Sequence, residues 1–103
     1  MHPALQSKST ELGRLCARHR VRRLSVFGSA SRGGFEPEVS DFDFLVDFLP
    51  MPPGDHAENY FGLMEDLERL FNDGIDLVES QPIRNPYFRR SVEASLQPLY
   101  DAA

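Results

Sequence analysis

Apolar residues are spaced along this chain in two alternating periods. Between residues 9 and 20 they recur every three to four positions, at Leu12, Leu15 and Cys16. That spacing predicts a helix with one buried stripe, and Cys16 belongs to it. Over 22–27 the period shortens to two. Leu24 and Val26 alternate with Arg23 and Ser25, and Phe27 closes the run, as in a strand. Gly28-Ser29 ends it, and residues 34–40, with Gly34 and Pro37, read as a loop. The period of two returns over 42–48. Phe42, Phe44, Val46 and Phe48 mark a core face, and Asp41, Asp43, Leu45 and Asp47 fall on the other. Pro50-Met51-Pro52-Pro53-Gly54 breaks the pattern. Helical spacing then runs through 57–72 at Tyr60, Phe61, Met64, Leu67, Leu70 and Phe71. Gly74 is expected to take the left-handed conformation that stops this helix. Ile75-Asp76-Leu77-Val78 reads as a third, short strand. Asn85-Pro86 starts a last helix, a cap residue before proline, with Phe88, Val92 and Leu96 as its stripe. Leu99-Tyr100 is expected to end the ordered chain.

Composition narrows the class. The chain has 103 residues, 41% hydrophobic and 26% charged, which suits one globular domain spanning 1–103. The net charge of −5 disfavours an extended nucleic acid as partner, because domains that grip one are normally basic. The single cysteine, Cys16, excludes an internal disulfide and fits a reducing compartment. The first residues lack the basic region and apolar run of a signal peptide, and no apolar run reaches membrane-spanning length. A soluble cytoplasmic protein is the expectation. His19 reads as a helix-end residue whose positive charge suits the dipole, and His56 as a surface residue.

The unusual feature is acid on a strand. Asp41 and Asp43 are one residue apart, so their side chains point the same way, with Cα atoms about 6.6 Å apart. Both can lean toward one cation or toward a pair about 3.5–4 Å apart. Two like charges about 4 Å apart cost roughly 4 kcal/mol at an effective dielectric near 20, so something positive is expected beside them. Asp47 lies about 13 Å from Asp43 and reads as solvated or salt-bridged. Asp76, in a strand of four residues, asks for a reason, since aspartate is depleted in strands, and the plain reading is an edge residue facing water. Gly28-Ser29 is either an ordinary turn or an anion site. In the second case Gly28 lets a phosphate approach the backbone, Ser29 adds a hydroxyl, and Arg32 adds a fixed positive charge with several donors. A short helix beginning at Ala30-Ser31-Arg32-Gly33 would present free N–H groups to the same anion.

Gly28-Ser29-Ala30-Ser31-Arg32-Gly33, Ser40-Asp41-Phe42-Asp43-Phe44-Leu45-Val46 and Asp76-Leu77-Val78 together resemble the catalytic pattern of the nucleotidyltransferase superfamily related to DNA polymerase beta. More narrowly, the chain is similar to its minimal prokaryotic members. The ending Asn85-Pro86-Tyr87, with Leu99-Tyr100-Asp101-Ala102-Ala103, is similar to their closing segment. The resemblance implies an α/β fold, a small twisted mixed sheet backed by helices. It implies a Mg²⁺-dependent transferase with ATP as substrate and two Mg²⁺ ions held by Asp41, Asp43 and Asp76, Asp76 on the nucleophile side. Gly28 and Ser29, assisted by Arg32, would bind the β- and γ-phosphates. It further implies a partner, a HEPN-domain ribonuclease toxin, which such a protein neutralises as antitoxin by transferring AMP to a hydroxyl, usually of tyrosine. Transfer to a small molecule of antibiotic type, and neutralisation by contact without catalysis, stay open as alternatives.

Overall fold

The computed structural model describes residues 3–28, 42–72, 74–80 and 86–102. Eight elements follow in order: α1 (Pro3–Ser7), α2 (Ser9–Arg18), β1 (Val21–Phe27), β2 (Phe42–Phe48), α3 (Pro53–Phe71), β3 (Ile75–Glu79), α4 (Pro86–Ser95) and β4 (Gln97–Asp101). The strands form one sheet in the order β3-β2-β1-β4. β1 pairs antiparallel with both β2 and β4, and β2 pairs parallel with β3. The sheet is therefore mixed, as expected for an α/β fold, and its parallel pair is joined by the crossover helix α3.

Burial explains this order. Phe42, Phe44 and Val46 on β2, Leu24 and Val26 on β1 and Leu77 on β3 pack against Leu12 and Cys16 of α2 and Leu63 and Leu67 of α3. The rings of Phe42 and Phe44 lie 4.7 and 5.8 Å from that of Phe71. Cys16 is fully enclosed, and burial pushes its thiol up to about 12. Val92 of α4 is buried outside this cluster. With Leu45, Ser80 and Leu96 it lines a hollow of about 180 Å³ on the opposite face of the sheet. α2 and α3 thus cover one face, and α4 covers part of the other.

Several local expectations change. A short helix, α1, precedes α2, and its Leu5 joins the core. The register of β1 against β2 shifts between Val21 and Arg23. Arg22 is the extra residue of a bulge, which leaves Arg22 and Arg23 successively exposed. α3 begins at Pro53 rather than after the breaker run, because proline suits a first helical turn. Its left-handed cap is Asn72, at φ 52°, and not Gly74. Phe61, placed on the apolar stripe by spacing, is 62% exposed, and Leu63 takes the core position. His56 is a partly exposed surface residue that has partners. Its imidazole bonds the Glu79 carboxylate and lies beside the Phe48 ring. His19 bonds Asp66 at 2.6 Å and packs on Gly62, where a Cβ would stand 2.7 Å from its ring. β4 adds a strand where the ordered chain was expected to stop, and its Pro98 is tolerated because β4 is an edge.

Candidate active site

Two of the three predicted carboxylates fall side by side. Asp43 is the register partner of Asp76 across the parallel β2–β3 pair. Adjacent strands lie about 4.8 Å apart, and register partners project to the same face. That face is the one opposite α2 and α3, because the intervening Phe42, Phe44 and Leu77 point into their core. Asp43 is half-buried and Asp76 exposed. Among the described residues β3 is an edge strand and Asp76 is exposed on it, yet the register also sets it beside a second carboxylate. Asp41, Ser29 and Arg32 lie outside the described residues, as does the segment expected to open a helix at Ala30.

Gly28 completes the corner. It follows Phe27, which is Asp43's partner on the other side of β2. Its φ of 74° places it in the left-handed region, where only glycine rests without strain. A Cβ built there would stand 2.7 Å from Oδ2 of Asp43. The missing side chain is the space that the carboxylate occupies. The Gly28 N–H donates to Oγ of Ser95 at 2.8 Å. Ser95 is 6% exposed and closes α4. Sequence reasoning missed it, because a serine at the end of an amphipathic helix carries no signal of its own. It also adds a reason for the glycine. The N–H already has a protein acceptor, and the bare Cα admits Asp43.

Tyr60 packs against the core as its spacing predicts, but the bond of its hydroxyl was not foreseen. Read from its spacing as plain core, it donates its hydroxyl to the backbone carbonyl of Leu77 at 2.5 Å, one residue past Asp76. Burial first, then the negative charges of Glu79 and Asp76, raises its phenol above the usual value and keeps it a donor.

The donor set suits a hard divalent cation: carboxylate oxygens from adjacent strands, one of them exposed to solvent. The sequence pattern that defines the nucleotidyltransferase domain matches residues 10–99. The chain belongs to the nucleotidyltransferase family. This nucleotidyltransferase is 34% identical over 79 residues to a Methanocaldococcus jannaschii protein provisionally named a protein adenylyltransferase, covering 77% of each chain. It is 34% identical to a solved structure provisionally named a minimal nucleotidyltransferase, with a TM-score of 0.67, covering 96% of this chain and 97% of that one. It shares the fold of a Shewanella oneidensis complex of a tri-AMPylated HEPN toxin with its MNT antitoxin. The TM-score there is 0.64 at 16% identity, covering 95% of this chain and 73% of that one. The four-stranded mixed sheet is thus the nucleotidyltransferase fold. Among the described residues, no helix is long and apolar enough to cross a membrane.

Proposed function

We propose that this nucleotidyltransferase moves AMP from ATP to a protein hydroxyl, and that the acceptor is a tyrosine of a HEPN ribonuclease toxin that it thereby neutralises. The observation that carries this reading is the pairing of Asp43 with Asp76 beside the bare Cα of Gly28. The likeness to a protein adenylyltransferase and to an antitoxin bound to an AMPylated toxin supports the acceptor class.

The roles follow from position. Asp43 and Asp76, joined by Asp41 from the preceding segment, would hold two Mg²⁺ ions. Bound there, the ions would neutralise the triphosphate and make the attacking hydroxyl a better nucleophile. Gly28 and Ser29, assisted by Arg32, would take the β- and γ-phosphates, the groups that leave as pyrophosphate. Asp76, exposed on the edge strand, would accept the proton of the incoming hydroxyl. An attacking oxygen must come within about 3–3.5 Å of the α-phosphorus, in line with the leaving group. The exposure of Asp76 would let an acceptor on another molecule approach that closely, so toxin and antitoxin would associate through this face.

Incubating the protein with a HEPN toxin from its genomic neighbourhood, ATP and Mg²⁺, followed by mass spectrometry of the toxin, tests the reading. One or more additions of AMP are expected on tyrosine, and none with Asp43→Asn. Silencing of the toxin without a mass change, equally by Asp43→Asn, would establish neutralisation by contact instead.

A further inference from the structure

We propose that Tyr60 and His56, one helical turn apart on α3, are positioning residues that clamp strand β3 and so set the place of Asp76. The proposal rests on the reading of Asp76 as a metal-holding carboxylate given above.

An edge strand has only one paired side, and its outward backbone groups are left to solvent or to side chains. The ladder fixes which groups those are. Phe42 donates its N–H to the Gly74 carbonyl, and Ser80 donates its N–H to the Val46 carbonyl. The backbone groups of Gly74, Asp76, Val78 and Ser80 therefore face β2. Those of Ile75, Leu77 and Glu79 face away from β2. Tyr60 meets the outward carbonyl of Leu77 with its hydroxyl. His56 meets the side chain of Glu79, two residues further along the strand. Both clamps come from the same face of one rigid helix, because residues at i and i+4 are neighbours there. Asp76 is thereby held from two sides, by its own ladder bonds to β2 and by the Tyr60 bond to the next residue. Two carboxylates facing each other on adjacent strands repel. Without a tie on the outer side, the edge strand is the part free to move away.

Tyr60→Phe tests this, because it keeps the ring and removes only the hydroxyl. The probe is Mn²⁺, titrated into the full chain and followed by electron paramagnetic resonance, with melting curves taken in the absence of metal. Outer partners of metal-holding groups typically change metal affinity by about 10- to 100-fold. Tyr60→Phe is expected to weaken Mn²⁺ binding by about tenfold at the low end of that range. Asp76→Asn should weaken it as well, and the double variant should bind no worse than Asp76→Asn alone. That non-additivity separates positioning from a general loss of packing, which would subtract equally in both backgrounds. Wild-type Mn²⁺ affinity in Tyr60→Phe, with Asp76→Asn impaired, overturns the clamp and leaves the metal reading standing. Wild-type affinity in Asp76→Asn overturns the metal reading and the clamp with it.

Discussion

The carboxylate of Asp43 and the backbone of Gly28 share one space. Oδ2 stands 2.7 Å from where a Gly28 side chain would begin, and the Gly28 φ of 74° already excludes ordinary residues. Gly28→Ala is therefore expected to be doubly unfavourable. The left-handed backbone alone costs an alanine about 1–2 kcal/mol, and the Cβ also displaces Asp43. Gly13→Ala is the control. Gly13 lies in α2 with nothing within 4 Å of the added carbon, and alanine in a helix is better than glycine by roughly 0.5–1 kcal/mol. Melting curves should move in opposite directions for the two variants, and AMP transfer should survive only in Gly13→Ala. A Gly28→Ala protein as stable and active as wild type would refute the shared-space account.

The phase of α3 can be tested by a pair of phenylalanines. Phe44 is fully buried between Phe42 and Phe71, whereas Phe61 is 62% exposed. Phe44→Ala should cost about 3–5 kcal/mol, the usual penalty for a large core cavity. Phe61→Ala should stay within about 0.5 kcal/mol of wild type. Denaturant unfolding of both variants decides it. Equal losses would mean that Phe61 belongs to the core, as its spacing alone suggests.

Asp66 predicts an acid limb of stability. The bond from His19 holds its carboxyl below the usual value, and the charges of His19, Arg18 and Arg69 add to this against the opposing effect of burial. A carboxyl lowered in the folded state binds fewer protons there than in the unfolded chain. Its stabilisation is complete above the ordinary aspartate value, near pH 4. It is lost as pH falls through the lower folded value. The stability difference between wild type and Asp66→Asn should thus be present near pH 5 and shrink below about pH 4. Melting temperatures of the two proteins across that range provide the measurement, and a constant gap down to pH 2 would refute it.

The residues legible in the sequence were those whose environment is local. The strand Phe42–Phe48 and its core face could be read because alternation is a property of consecutive residues. The buried stripe of α2, with Cys16 inside it, was legible for the same reason. Asp76 could be flagged as out of place in a strand, but its pairing with Asp43 depends on the β2–β3 register, which no local pattern encodes. Phe61 was misread because it lies about 100° of helix from Tyr60, at the margin of the apolar stripe, whereas Tyr60, Met64, Leu67, Leu70 and Phe71 face the core together with Leu63. β4 was missed because Gln97-Pro98-Leu99 has neither alternation nor β-branched residues, and pairing with β1 is what makes it a strand. Ser95, Tyr60 and His56 carry ordinary sequence contexts, and each gains its meaning from a partner distant in sequence.

That Ser95 caps Gly28 across 67 residues of sequence also bears on when the site comes into being. Contacts between distant segments must overcome the entropy of closing the loop between them, and they tend to form late. The glycine corner is thus assembled only when α4 has docked, and Asp76 meets Asp43 only after α3 has carried the chain across the sheet. A partly folded chain holds every acidic residue but not their arrangement. Nucleotide held by that arrangement, as proposed above, would bind the completed domain alone, so occupancy and global folding would become one linked equilibrium.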